Sequence, residues 1–96
     1  MKNTERLIAQ LEDFRKNKFY VQLHHCEHHI PEYDVANMEG KAARIIRNAS
    51  YDEIKEAVVN AQTTFEEETN LNHCLSELVD SRIELDYQTV SFTFNA

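Results

Sequence analysis

The chain has 96 residues, enough for one hydrophobic core and too few for two, so we expect a single domain over residues 1–96. Hydrophobic residues make up 42% and charged residues 28%, which excludes a disordered chain and is ordinary for a folded protein. The formal net charge of −7 argues against direct binding of nucleic acid, because phosphates must be neutralised by Lys and Arg.

The first 25 residues predict a helix followed by a strand. Leu7, Leu11 and Phe14 recur at helical spacing after a capping residue, which indicates an amphipathic helix over residues 4–16. From Lys18 to about His25 apolar and polar residues alternate, the pattern of a half-buried strand. The start of the chain carries acidic groups and no unbroken apolar run. We therefore expect no secretion signal and no membrane span, and a soluble, cytoplasmic protein.

Residues 32–47 contain the only glycine of the chain, Gly40, between two partly apolar stretches. This arrangement predicts a β-hairpin with its turn at Gly40, which would add two strands to the first. A helix over the same residues is the alternative. Glycine inside a helix costs about 1 kcal/mol relative to alanine, and this cost favours the hairpin.

Residues 51–82 predict two helices, or one bent helix. Ser50 and Glu53 have the spacing of a capping box, in which each side chain accepts a hydrogen bond from the backbone N–H of the other. An apolar stripe from Ile54 to Phe65 follows, and a second stripe runs from Leu71 to Val79.

The last residues, 83–94, alternate as a strand does, with a change of parity between Tyr87 and Val90 that requires a turn or a bulge. The fold class predicted by these elements is α+β. Its parts are an N-terminal helix, an antiparallel three-stranded sheet, two acidic C-terminal helices and a terminal strand.

Charge is divided unevenly along the chain. Residues 1–47 carry eight Lys/Arg and seven Asp/Glu, whereas residues 48–96 carry two Lys/Arg and ten Asp/Glu. Such a division creates a surface field of one sign that attracts basic partners, although an ordinary solvated surface is an alternative of nearly equal weight. The carboxylates that we expect to bind a partner are Asp52, Glu56, Glu66, Glu67, Glu68, Glu77, Asp80, Glu84 and Asp86.

The most conspicuous cluster of side chains is the run from His24 to His29, which includes Cys26. Imidazole and thiolate are zinc ligands, but alternate residues of a strand face opposite ways, so only part of the run can converge on one ion. The spacing matches no zinc signature, and we predict no bound metal. A metal-responsive or pH-responsive module built on these residues is retained as an alternative.

The sequence predicts no enzyme and no cofactor. Cys26 lacks an accompanying orienting residue or an oxyanion-hole turn, and adjacent helical carboxylates such as Glu66 and Glu67 point apart. The tyrosines could anchor an interface, but we expect them more often to be partly buried strand and helix residues.

In layout and charge the chain resembles small phage-encoded inhibitors of host defence, including DNA-mimicking anti-CRISPR and anti-restriction proteins. No shared motif places individual residues. The resemblance implies a stoichiometric inhibitor whose acidic surface occupies the nucleic-acid-binding surface of a nuclease or surveillance complex. An antitoxin or immunity protein that neutralises a basic toxin is the alternative. In either case the partner is a protein with a basic surface, and a homodimer is compatible with the sequence.

Overall fold

The computed structural model of the protein describes residues 2–26, 30–65, 69–83 and 90–96. These residues form four helices and two strands in the order α1 (Lys2–Lys16), β1 (Tyr20–Cys26), α2 (Glu32–Asn48), α3 (Tyr51–Phe65), α4 (Leu71–Asp80) and β2 (Val90–Asn95). The α+β class and the N-terminal helix are as predicted.

The segment around Gly40 forms a helix, so the predicted hairpin is wrong. Helix α2 begins after Pro31 and buries Met38, Ala42 and Ile46, which are spaced for a helix and not for a strand. Gly40 lies on the exposed side of the helix. Its cost of about 1 kcal/mol is small beside the burial of that apolar stripe, at roughly 1.5–3 kcal/mol for each large side chain.

Residues 51–80 form two separate helices. The Ser50 hydroxyl accepts a hydrogen bond of 3.2 Å from the N–H of Glu53 at the start of α3, which confirms this half of the predicted capping box. Asn70 caps α4 in the same way by accepting from the N–H of His73 at 3.1 Å. The buried Thr69 hydroxyl donates to the Ala61 carbonyl at 3.2 Å and so ties the connection between the helices to α3.

Strands β1 and β2 pair antiparallel in a two-stranded sheet, which corrects the predicted three-stranded sheet. The two missing strands are those that the hairpin reading placed at Gly40. The terminal strand is present at Val90–Asn95, while the expected strand and parity change at residues 84–89 lie outside the described residues. The pairing skips His24, which therefore lies at a bulge between Leu23 and His25.

Two side chains of helix α2 bind the backbone of β1 and of the residue just before it. The Glu39 carboxylate accepts a hydrogen bond from the Leu23 N–H, and the Arg47 guanidinium donates to the Phe19 carbonyl at 3.1 Å. Arg47 also lies over the Phe19 ring, 4.6 Å from its centroid. These side chains therefore satisfy backbone groups that would otherwise lack a hydrogen-bond partner.

All six elements bury apolar side chains or pack against one core. Leu11, Ile46, Ile54 and Val79 are fully buried at its centre, and Phe92 and Phe94 enter it from β2. None of the described helices has the length and apolar character needed to cross a membrane. The carboxylates of α3 and α4 are left on the outer surface of this arrangement.

Candidate functional site

Four of the nine carboxylates predicted to bind a partner can be placed. Asp52 and Glu56 lie exposed on α3, Glu77 is half-buried on α4, and Asp80 is exposed at the end of α4. The side chains of the other five fall outside the described residues; they are Glu66, Glu67, Glu68, Glu84 and Asp86.

Helices α3 and α4 enclose a cleft of about 210 Å³, called here the acidic cleft. It is lined by Glu53, Glu56, Ala57, Asn60, Glu77, Leu78, Ser81 and Arg82. The cleft forms because Ala57 and Leu78 turn into the core at the contact between the two helices. Glu56 and Glu77 are thereby brought to the same concavity from different helices.

Among the residues that the structure describes, Arg82 is the one cation that lines the acidic cleft, and it is bound to Glu53 at 2.8 Å. Three carboxylates and one guanidinium give the cleft lining a net charge of −2. Carboxylates held close together repel one another, and this repulsion falls when a cation binds between them. The cleft can therefore receive the ammonium or guanidinium group of a partner's side chain.

Asp80 does not line the acidic cleft, so the four placed carboxylates do not all converge on it. Asp80 lines a groove between α4 and β2 together with His24, Asn72, Ser76, Ser91, Phe92 and Thr93. The pKa of the Asp80 carboxyl is raised by partial desolvation and, to a smaller extent, by the negative charge of Glu77. The groove and the acidic cleft flank α4 on its two sides.

Sequence reasoning missed two residues of the cleft, Glu53 and Arg82. Glu53 was assigned to the capping box, but its carboxylate binds Arg82, and only its backbone N–H takes part in the cap. No local pattern links these two residues, because they lie 29 positions apart and meet only when α4 packs on α3.

The described part of the His-rich run offers little for metal binding. His24 is exposed on β1, whereas the side chains of residues 25–29 lie outside the described residues. Among the residues that can be placed, no group of three or more His, Cys, Asp and Glu side chains could hold a metal ion. Cys74 is fully buried, and desolvation raises the pKa of its thiol to about 11.

Three tyrosines are exposed rather than partly buried. They are Tyr20 on β1, Tyr33 on α2 and Tyr51 at the start of α3, and between 54% and 75% of each is accessible. Val59, also exposed, follows Glu56 by one turn on α3. Tyr51 and Val59 can contribute apolar contact area next to the carboxylates of α3.

Comparison with known proteins gives no relative. No family model, no curated protein and no solved structure matches this chain.

Proposed function

We propose that this protein is a non-enzymatic binding protein that places the acidic cleft and the outer face of α3 on a basic surface of another protein. The convergence of Glu56 and Glu77 from separate helices on one concavity is the observation that carries the proposal. An isolated carboxylate on a helix is ordinarily solvated, whereas paired carboxylates in a cleft attract a cation more strongly than either does alone.

The charge of the neighbourhood supports this assignment. Ten of the seventeen acidic residues fall in residues 48–96, which contain only Lys55 and Arg82 as strong cations. Arg82 is paired with Glu53, while Lys55 is exposed on α3. The long-range field of this half is therefore negative, and it would steer a positively charged partner towards α3 and α4.

The class of partner that we propose is a nuclease or surveillance complex of a host-defence system, bound at its nucleic-acid-binding surface. Such surfaces are rich in Lys and Arg because they neutralise phosphates. Spaced carboxylates can replace phosphates as the counter-charge, as in the DNA-mimicking inhibitors that the chain resembles in layout and charge. The protein would then act stoichiometrically, by occupying the surface that nucleic acid needs.

The proposal is tested by recovering the partner and reversing the charge of the cleft. The tagged protein is used to capture partners from its native host, and mass spectrometry identifies them. Affinity is then measured for the wild type and for the double variant Glu56→Lys, Glu77→Lys. We expect the double variant to bind at least about tenfold more weakly, mainly through a slower association rate, because charge complementarity acts chiefly on encounter.

A matched control distinguishes the effect of the cleft carboxylates on affinity from the effect of net charge. The variant Glu5→Lys, Asp13→Lys changes the charge by the same amount at exposed positions of α1, and we expect it to retain most of the affinity. Wild-type binding should also weaken as salt rises, since charges are screened beyond about 8 Å at physiological ionic strength. Equal affinity of both double variants, without salt dependence, would contradict the proposal. Capture of a basic toxin instead of a nuclease would support the acidic cleft as the binding site but contradict the proposed class of partner.

A further inference from the structure

A second concavity lies on the other side of the Arg82–Glu53 pair and has the opposite charge. This basic pocket, of about 380 Å³, lies between α2 and the residues that begin α3 and follow α4. It is lined by Lys41, Arg44, Ile45, Asn48, Glu53 and Arg82.

Two of the three cations of the basic pocket, Lys41 and Arg44, come from successive turns of α2. Lys41, Arg44 and Asn48 recur at helical spacing on its exposed side, so their side chains extend in the same direction. Among the described residues, neither Lys41 nor Arg44 forms an ion pair. Two cations therefore line one concavity without a counter-ion from the described part of the chain.

Arg82 supplies a third cation that can change partner. Its ion pair with Glu53 is partly exposed, with 47% and 32% of the two side chains accessible. Ion pairs that remain in contact with solvent contribute little to stability. The guanidinium can therefore turn from Glu53 to an anion in the pocket at small cost.

We propose that the basic pocket is a binding site for a phosphate group, either free or carried on a phosphorylated side chain. Three cations and one carboxylate give the pocket a net charge of +2. A phosphate monoester near neutral pH carries a charge of about −2, similar in magnitude and opposite in sign. Two guanidinium groups, an ammonium group and the Asn48 amide provide donors for its oxygens, and guanidinium binds phosphate with two parallel hydrogen bonds. A long nucleic acid is disfavoured as the source, because the chain as a whole carries a net charge of −7.

The site does not depend on the proposed partner and is tested on the protein alone. ¹⁵N-labelled protein is titrated at pH 7.5 with inorganic phosphate, and in parallel with chloride at the same ionic strength. We expect saturable chemical-shift changes at the backbone amides of Lys41, Arg44 and Asn48 with phosphate only. A second arm with a short phosphoserine peptide compares the two sources of the phosphate group, and tighter binding of either one identifies the preferred source.

Variants distinguish the pocket from general attraction of anions. Lys41→Ala combined with Arg44→Ala should weaken phosphate binding at least about tenfold, since each substitution removes a cation that donates charge-assisted hydrogen bonds to the phosphate oxygens. Lys16→Ala combined with Lys55→Ala removes the same charge at exposed positions outside the pocket and should leave binding nearly unchanged. All four positions are exposed, so the dispersion of the amide spectrum should persist in both variants. Non-saturable shifts in the wild type, or equal losses in the two variants, would overturn the proposal.

Discussion

At the scale of single residues, the most unusual environment belongs to Cys74. Its thiol has no accessible surface, and burial raises its pKa from 9.0 to about 11, with a smaller raising effect from Glu77 and an opposing effect from a backbone hydrogen bond. The thiol is therefore neutral near pH 7 and acts as a small apolar group of the core. This state is unsuited to nucleophilic or metal-binding chemistry, which requires the thiolate.

The raised pKa of Cys74 predicts a loss of stability at high pH. The unfolded thiol ionises near pH 9 and the folded thiol near pH 11, so folding is favoured by this group below pH 9 and progressively less between pH 9 and 11. Urea denaturation at pH 8 and pH 10 measures the effect. In Cys74→Ala the fall in the free energy of unfolding between these pH values should be smaller than in the wild type. An identical fall in both proteins would show that Cys74 contributes nothing to it.

At the scale of secondary-structure elements, a substitution at Gly40 tests whether residues 32–48 form a helix. A methyl group added at Gly40 would meet no atom within 4 Å apart from its chain neighbours and the backbone of its own helix, and the residue lies within a helix. Gly40→Ala should therefore stabilise the protein by about 1 kcal/mol, through higher helix propensity and a less flexible unfolded chain. Thermal unfolding followed by circular dichroism measures this change. At a hairpin turn the same substitution would destabilise the fold, so a lower midpoint would argue for the hairpin.

Helix α2 has three roles that depend on its being a helix. One side packs Met38, Ala42 and Ile46 into the core, and Glu39 and Arg47 bind backbone groups of Leu23 and Phe19. The exposed side carries Lys41 and Arg44 of the basic pocket. A hairpin over the same residues would alternate its side chains with a period of two and could not separate these three sets.

At the scale of the whole molecule, the small sheet makes the fold depend on a few aromatic side chains. Phe92 and Phe94 of β2 are buried against a core formed mainly by helices, and within the described part of the chain β1 is the only strand that pairs with β2. Phe92→Ala should destabilise the protein by about 3–5 kcal/mol, a large part of the 5–15 kcal/mol typical of a small domain. Thr93→Ala is the matched control, because its side chain points to the opposite face of the strand. Urea denaturation of both variants measures the difference, and comparable losses would show that β2 is not part of the core.

The Arg82–Glu53 ion pair is shared by two concavities of opposite charge. Arg82 and Glu53 line both the acidic cleft and the basic pocket. The two concavities therefore present opposite charges within a short distance of each other, although the net charge is −7. A partner that fits both would need a basic surface with an anionic group beside it.

Local periodicity in the sequence was sufficient to predict α1, the helical structure of α3 and α4, the Ser50 cap and the strand at Val90–Asn95, although it left open whether α3 and α4 form one bent helix or two. Each of these features depends on residues within a few positions of one another, so the pattern of side chains encodes it directly. The excess of acidic residues after residue 47 was likewise evident from the sequence. The resulting binding function remains a proposal.

Tertiary packing decided two kinds of feature. One is the structure of a segment for which the local pattern allowed two alternatives, and the other is contact between residues distant in sequence. The segment around Gly40 fits a hairpin or a helix by composition, and the burial of Met38, Ala42 and Ile46 against the core selects the helix. The pairing of Glu53 with Arg82 and the meeting of Glu56 with Glu77 join residues distant in sequence. Such contacts form only when helices pack against each other. A single helix brings together residues three or four positions apart, whereas the tertiary fold determines which helices are neighbours.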